Sequence, residues 1–281
     1  MPSVSVYLLQ GTMRLRFGPH RDCARADAEL LLLQLLHQDR AWLMAHSSDD
    51  IGFDHWNRYY ELLERRYNGE PIQYITGETE FYGLPFWVTP DVLIPRPETE
   101  HLVEKVIELA AQFKSPRIVD IGSGAGAIAV ALAHKLVNVQ FTAIDLSADA
   151  LTIAQENAKR NSANIRFLEG DLLAPVADEQ FEIIVSNPPY VPESDRPTLS
   201  VEVRDHEPAL ALFAGPDGLD IYRRLIPQAF AHLVPGGYLA LEIGYGQSPA
   251  IETLLTDSGF QNIELIPDLQ GIPRVASAQH P

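Results

Sequence analysis

From Arg117 onward, short apolar runs alternate with amphipathic stretches, and that alternation restricts the chain to an α/β architecture. Arg117–Ile121, Gln140–Ile144, Ile165–Glu169, Phe181–Ser186 and Tyr238–Ile243 read as strands. Gly126–Lys135, Ala148–Arg160, Leu219–Leu233 and Ser248–Ser258 read as helices, and Asn262–Ile266 with Arg274–Ala278 as a closing antiparallel pair. Buried strands flanked by helices predict an open, mostly parallel sheet of these seven runs, covered on both faces.

The segment before Gly69 has a different period. Ala26, Leu30 and Leu33 recur at helical spacing, widened by Leu31, Leu32, Leu35 and Leu36, and Phe53, Trp56, Tyr60, Leu63 and Tyr67 form a second stripe. That aromatic stripe reads as the core of a small helical bundle in preference to a docking face. Val4 to Phe17 lacks a clear amphipathic first helix. Pro71 to Gly77 and then Phe81 to Val88, with Gly83 and Pro85 in its middle, read as a β-hairpin connector. Pro95-Arg96-Pro97 opens a helix: Pro97 suits a first turn, and Glu98 and Glu100 suit the positive end of the helix dipole. The predicted organisation is a helical domain over 1–70, a hairpin linker over 71–94 and a ligand-binding domain over 95–281.

The chain has 281 residues, enough for one mid-sized domain and a small one. Cys23 is the only cysteine, so no intrachain disulfide can form, in keeping with a reducing compartment. No apolar run approaches the roughly 20 residues of a membrane-spanning helix, and Met1 to Gln10 lacks the pattern of a signal peptide. The expected location is cytoplasmic. The net charge of -17 opposes stable binding to phosphate backbones.

Asp120-Ile121-Gly122-Ser123-Gly124-Ala125-Gly126 stands where the first strand meets its helix. Glycines there permit a tight turn and close approach of backbone to a ligand. Alone, such a turn is also what an empty strand-to-helix junction needs. Asp145 ends the second strand about 20 residues on, where a carboxylate can bind ribose hydroxyls. Asp171 follows the third strand, where it can accept from an exocyclic adenine amine, and Leu172 can pack on the ring. Each Asp taken singly could be a helix cap or a turn former. Their recurrence at successive strand ends favours one nucleoside site, which a dinucleotide or S-adenosylmethionine could occupy.

Asn187-Pro188-Pro189-Tyr190 follows the fourth strand directly. Two prolines make a rigid extended turn at the edge that carries the glycine loop. Asn187 offers a side-chain carbonyl and Pro188 a backbone carbonyl, which together can accept both hydrogens of a planar NH2 group, and Tyr190 can supply a flat face beside it. An amide nitrogen is a poor nucleophile, and two acceptors on its hydrogens stabilise positive charge as a new C–N bond forms. A hydride-transferring enzyme has no use for this arrangement, so the motif selects S-adenosylmethionine as the cofactor and S-adenosylhomocysteine as its product. No Cys/His cluster of metal-ligand spacing is present, and no metal is expected.

With these residues in view, the sequence resembles the release-factor glutamine N5-methyltransferases, the HemK family. The resemblance runs from about Ala24 to Ser277. It includes Ala26-Asp27-Ala28-Glu29-Leu30-Leu31, Arg65-Arg66 with Gly69-Glu70-Pro71, Tyr74-Ile75-Thr76-Gly77 and Glu80-Phe81. It continues through Leu93-Ile94-Pro95-Arg96-Pro97-Glu98-Thr99-Glu100, Ser186 to Tyr190, Val203-Arg204 with Glu207-Pro208, Leu241-Glu242-Ile243-Gly244, and Gly271 with Arg274-Val275. Asn-Pro-Pro-Tyr is shared with enzymes that methylate amino groups of nucleic-acid bases; the hairpin and the Ile94–Glu100 stretch are more specific.

The resemblance implies a Rossmann-like S-adenosylmethionine-dependent methyltransferase fold with a small N-terminal helical domain that docks the substrate. It implies methyl transfer to the glutamine of the Gly-Gly-Gln motif in class I peptide chain release factors. It implies cofactor contacts from Gly122, Ser123, Gly124, Ala125, Gly126, Asp145, Leu172 and Asn187, beside the adenine role read for Asp171. Asn187, Pro188, Pro189 and Tyr190 would hold the glutamine. Leu172 departs from the family in being aliphatic where some relatives carry an aromatic. The rival readings are a methyltransferase acting on an exocyclic base amine or on a glutamine of another translation protein, a non-catalytic nucleotide-binding scaffold, and a dehydrogenase.

Overall fold

The structure, a computed structural model, describes residues 2–281. They form two compact units: one holds the residues up to Gly77 together with Leu199–His206, the other Glu78–Thr198 and Glu207–Pro281. The expected connector, 71–94, is thus divided between them.

The first unit contains α1 (Val4–Leu15), α2 (Ala24–Leu36), α3 (Arg40–Ala45), α4 (Trp56–Tyr67) and α5 (Ile72–Thr76). A first helix forms where the sequence pattern left it open. Its buried face runs Val4, Tyr7, Leu8, Gly11, Thr12 and Leu15. Two things hide that face: Gly11 and Thr12 interrupt it, and Val6, Leu9 and Met13 are apolar on the exposed side. Gly11 is required there, because a Cβ would stand 2.2 Å from the Tyr59 hydroxyl.

The stripe predicted on α2 is also out of phase. Ala24, Asp27, Ala28, Leu31 and Leu32 are buried, whereas Leu30 is 45% exposed. A run of four leucines fixes no phase, and the burial of Asp27 depends on a distant partner: Arg66 on α4 donates to it across 2.6 Å. Arg66 also donates to Glu202 and to the Glu70 carbonyl, at 2.9 Å for the latter. Glu202 lies on a short helix over Val201–His206, which the ion pair holds within this unit. On α4 the buried side chains are Tyr59, Leu63 and Arg66; Tyr60, and Phe53 ahead of the helix, are exposed, so only part of the aromatic stripe is core.

Within Pro71 to Gly77, Ile72–Thr76 is helical where part of the hairpin was expected. The hairpin is β1 (Glu78–Phe81) with β2 (Leu84–Trp87), closed by Tyr82 and Gly83 at φ 54° and 74°. Positive φ at both central residues is the turn that matches the right-handed twist of paired strands.

The second unit is built on a seven-stranded sheet. Its strands are β3 (Arg117–Ile121), β4 (Gln140–Asp145), β5 (Ile165–Glu169), β6 (Phe181–Ser186), β7 (Leu233–Glu242), β8 (Gln261–Pro267) and β9 (Pro273–Gln279). The order is β5-β4-β3-β6-β7-β9-β8, parallel from β5 to β7, with β9 antiparallel to both neighbours. The expected mostly parallel sheet with a closing antiparallel pair is what forms.

Successive strand residues feed two cores. Val119, Ile184, Leu239 and Leu241 pack on one side of the sheet with Tyr222, Leu225, Ile226, Ile251 and Leu255. The last five come from helices at Asp220–His232 and Ser248–Asp257. Ile118, Ile183, Val185 and Ala240 pack on the other side with helices at Glu100–Ala110 and Ala127–Lys135 and with Phe81 and Phe86 of the hairpin. Each fully buried large apolar side chain contributes about 1.5–3 kcal/mol. Both faces are therefore closed, and a ligand can reach the sheet only at the strand ends. Among the described residues no helix is long and apolar enough to cross a membrane.

Candidate active site

The sheet reverses its direction of winding between β3 and β6, which pair in register from Ile118 with Ile183 to Ile121 with Ser186. A crevice opens at the carboxyl ends of strands at such a switch point. The Ser186 hydroxyl clamps that end, donating to the Ile121 carbonyl across 2.7 Å. Here a cavity of about 300 Å³ is lined by Gly122, Gly124, Asp145, Asp171, Leu172 and Asn187, with Pro188 and Pro189 on its wall. It brings together residues from four strand ends.

Gly122 and Gly124 have φ of 71° and 52°, and a Cβ on either would meet nothing within 4 Å. The loop thus presents bare backbone to open space. Its N–H groups point elsewhere: Gly122 and Ser123 donate to the Ile144 carbonyl at 2.8 and 3.1 Å, and Gly124 to Asp145 Oδ2 at 2.7 Å. A pyrophosphate is held by free N–H groups at such a turn. Here three are spent within the protein, and a carboxylate stands beside them. The donor set suits an uncharged or cationic nucleoside better than a diphosphate.

Ser123, Ala125 and Gly126 do not line the cavity. The Ala125 carbonyl accepts from Asn157 Nδ2 at 2.9 Å, and Asn157 also bonds both the N–H and the carbonyl of Trp87. Asn157 is fully buried and fixes the loop to the hairpin. Gly126, at φ 78°, caps the following helix against Ala154.

Asp145 and Asp171 stand at neighbouring strand ends. The second oxygen of Asp145 accepts from Ser147 N–H at 2.9 Å, and the Ser147 hydroxyl caps the helix Ala148–Arg160. Asp171 is exposed and paired with Arg224. Leu172, at φ 52°, lines the cavity while packing on the core.

Asn187 leaves the end of β6 with its amide engaged: Nδ2 donates to the Thr99 hydroxyl at 3.1 Å. Thr99 donates in turn to Glu242 Oε2 at 2.6 Å, and the Tyr190 hydroxyl donates to Oε1 at 3.2 Å. Glu242 is 3% exposed; burial pushes its carboxyl above the usual range, and the two hydroxyls pull it back. Burial and the neighbouring Glu242 raise the Tyr190 phenol. Tyr190 is not among the cavity-lining residues; its ring packs on the core below. Gln247 secures it, with Nε2 donating to the Tyr190 carbonyl at 3.0 Å and Oε1 accepting from Gly244 N–H at 2.9 Å. Arg96 donates to the buried Glu207 at 2.5 Å, joining the segment before Thr99 to the one before Pro208, which also lines the cavity.

Thr99, Glu242, Gln247 and Asn157 were not assigned site roles from sequence. Thr99 and Glu242 stood inside stretches that carried the family resemblance, which was the available signal. Asn157 and Gln247 gave none.

Residues 98–203 match the family described as methyltransferase small domain, and residues 10–77 the PrmC N-terminal domain. The release factor glutamine methyltransferase of Koribacter versatilis is 46% identical over 92% of this chain and 91% of its own. Those of Deinococcus radiodurans and Xylella fastidiosa are 42% and 39% identical, covering 97% and 100% of this chain and 96% and 99% of theirs.

The chain belongs to the release factor glutamine methyltransferase family.

It is an S-adenosylmethionine-dependent methyltransferase, as its methyltransferase domain and full-length relatives require. Solved structures share the fold at low identity. The human Mettl16 catalytic domain, in complex with an RNA hairpin, has a TM-score of 0.57 at 18% identity, covering 71% of this chain and 77% of that one. The Thermus thermophilus 16S rRNA N2 G1207 methyltransferase has a TM-score of 0.53 at 20% identity, covering 73% and 50%. The cavity fits the cofactor of this class: bare glycine backbone, two carboxylates and an aliphatic side chain surround a space open to the Asn187 turn.

Proposed function

We propose that this enzyme methylates N5 of the glutamine in the Gly-Gly-Gln motif of class I peptide chain release factors, with S-adenosylhomocysteine as the second product. The observation that carries the reading is the state of the Asn187 amide. Its Nδ2 is bound by Thr99, which leaves Oδ1 as the end available to a substrate NH2 beside the cavity.

S-adenosylmethionine supplies an electrophilic methyl group on a sulfonium. Gly122 and Gly124 would let it lie against the backbone, Asp145 would accept from its ribose, and Asp171 and Leu172 would hold its adenine. Asn187 Oδ1 and the Pro188 carbonyl accept the two hydrogens of the glutamine amide. They would orient its nitrogen toward the cavity and stabilise the positive charge that develops on it. Pro189 keeps the turn rigid, and Tyr190, anchored by Glu242 and Gln247, fixes where the turn ends. The nitrogen gains the methyl group and would lose one proton to solvent, so no side chain need remove it beforehand. The helical unit serves as the docking platform for the release factor, a reading supported by its match to the PrmC N-terminal domain. The compartment this reading implies is the cytoplasm.

Mass spectrometry of a release factor incubated with enzyme and S-adenosylmethionine tests the proposal. One methyl group on the Gly-Gly-Gln glutamine is the expected product. Methylation of DNA or RNA in parallel reactions, with the release factor untouched, would assign the site to base amines instead.

A further inference from the structure

We infer that Glu242 and Thr99 are positioning residues that determine which end of the Asn187 carboxamide faces the reacting nitrogen. The inference rests on the proposed acceptor role of Asn187. The oxygen and NH2 ends of an asparagine are nearly equal in size, so shape alone does not select between them. With the NH2 end toward the cavity, the site would offer donors to a substrate that itself presents donors.

The selection follows from proton bookkeeping along a buried chain. Glu242, at the carboxyl end of β7, can as a carboxylate only accept hydrogen bonds. Thr99, 4% exposed and 2.6 Å from Oε2, must give its single hydroxyl proton to it. The other carboxylate oxygen takes the Tyr190 hydroxyl. Thr99 Oγ1 then has only lone pairs to offer, and the Asn187 group 3.1 Å away must be a donor, Nδ2. Oδ1 is turned outward as a consequence. One buried carboxyl group, accepting on both oxygens, thus sets the direction of the hydrogen bonds from Glu242 through Thr99 to the amide. Burying a lone carboxylate is costly, and the Thr99 and Tyr190 hydroxyls on its oxygens offset that cost. The Tyr222 hydroxyl, donating to the Glu242 backbone carbonyl at 2.7 Å, holds the residue in place.

The test compares Thr99→Val, Thr99→Ser, Glu242→Gln and Asn187→Ala in single-turnover methyl transfer, with S-adenosylmethionine affinity measured by calorimetry. Hydrogen exchange of the Asn187 side-chain NH2 is followed by NMR. Valine preserves shape but removes the acceptor. It should slow transfer by about tenfold or more, as misorientation at a reacting centre does, with cofactor affinity retained and exchange accelerated. Serine restores the hydroxyl and should recover most of the rate and protection. Glu242→Gln, able to donate as well as accept, should also slow transfer, and it decides the matter if the valine protein does not fold. Wild-type rates and NH2 protection in Thr99→Val or Glu242→Gln, with Asn187→Ala slow, would overturn the positioning role alone. A wild-type rate in Asn187→Ala would instead remove the reading on which it rests.

Discussion

Gly124 and Asp145 are joined by one short hydrogen bond, the glycine N–H donating to carboxylate Oδ2 across 2.7 Å. Because Oδ1 receives Ser147 N–H at 2.9 Å, the same side chain shapes the glycine loop and the following helix entry. Removing it would loosen the loop and delete the proposed ribose acceptor together. Hydrogen bonds to charged groups contribute about 1.5–3 kcal/mol each. Asp145→Ala should therefore weaken S-adenosylmethionine binding roughly ten- to hundredfold, and Asp145→Asn, which keeps one acceptor oxygen, should weaken it less. Calorimetry giving wild-type affinity for the alanine variant would remove Asp145 from the cofactor site.

Asp120, just before the loop, gives the ligand-free protein a pH dependence. It is 1% exposed; one oxygen accepts from Ala129 N–H at 3.2 Å and the other has no partner among the described residues. Burial, opposed by that bond and helped by the charge of Asp145, raises its pKa from 3.8 to about 7. A raised folded-state pKa means that the folded chain holds the proton more tightly than the unfolded one. The resulting stability is complete below the unfolded value and is lost as pH rises through the folded one. Asp120→Asn has no proton to lose, so its melting temperature relative to the parent should rise between pH 5 and pH 8. A difference that stays flat over that range would show that Asp120 is ionised throughout.

Arg66 predicts a stability effect in the helical unit. It is 5% exposed and paired with Asp27 and Glu202. Removing one member of a buried ion network leaves uncompensated charge and costs about 3–5 kcal/mol. Arg66→Met should lower the denaturant midpoint accordingly. It should also release Leu199–His206, seen as faster amide exchange or proteolysis there. Unaltered protection of that segment would mean that apolar contacts hold it.

The sheet was legible because its strands are buried on both faces: runs such as Ile183-Ile184-Val185 admit little else. The glycine loop and the Asn187 turn were legible because each needs special backbone geometry that only a few residues supply. What escaped was set by partners distant in sequence. The phase of α2 depends on Arg66 reaching Asp27 from 39 positions away. Helix α1 hides its buried face behind Gly11 and Thr12, a contact made only once Tyr59 packs across it. The orientation of Asn187 depends on Thr99, 88 positions earlier, and through it on Glu242, and no local pattern announces such a chain.

In the proposed mechanism Asn187 acts on the reacting amide and not merely as the end of a strand. Asn187→Ala keeps both prolines, and therefore the turn, while removing one acceptor at the nitrogen. The deciding measurement is single-turnover methyl transfer to a release factor at saturating cofactor, paired with calorimetric S-adenosylmethionine affinity. Loss of one preorganised polar group at a reacting centre costs about 10²–10³ in rate. A fall of that size is expected, with cofactor affinity nearly unchanged. Near-normal transfer by the variant would contradict that mechanism.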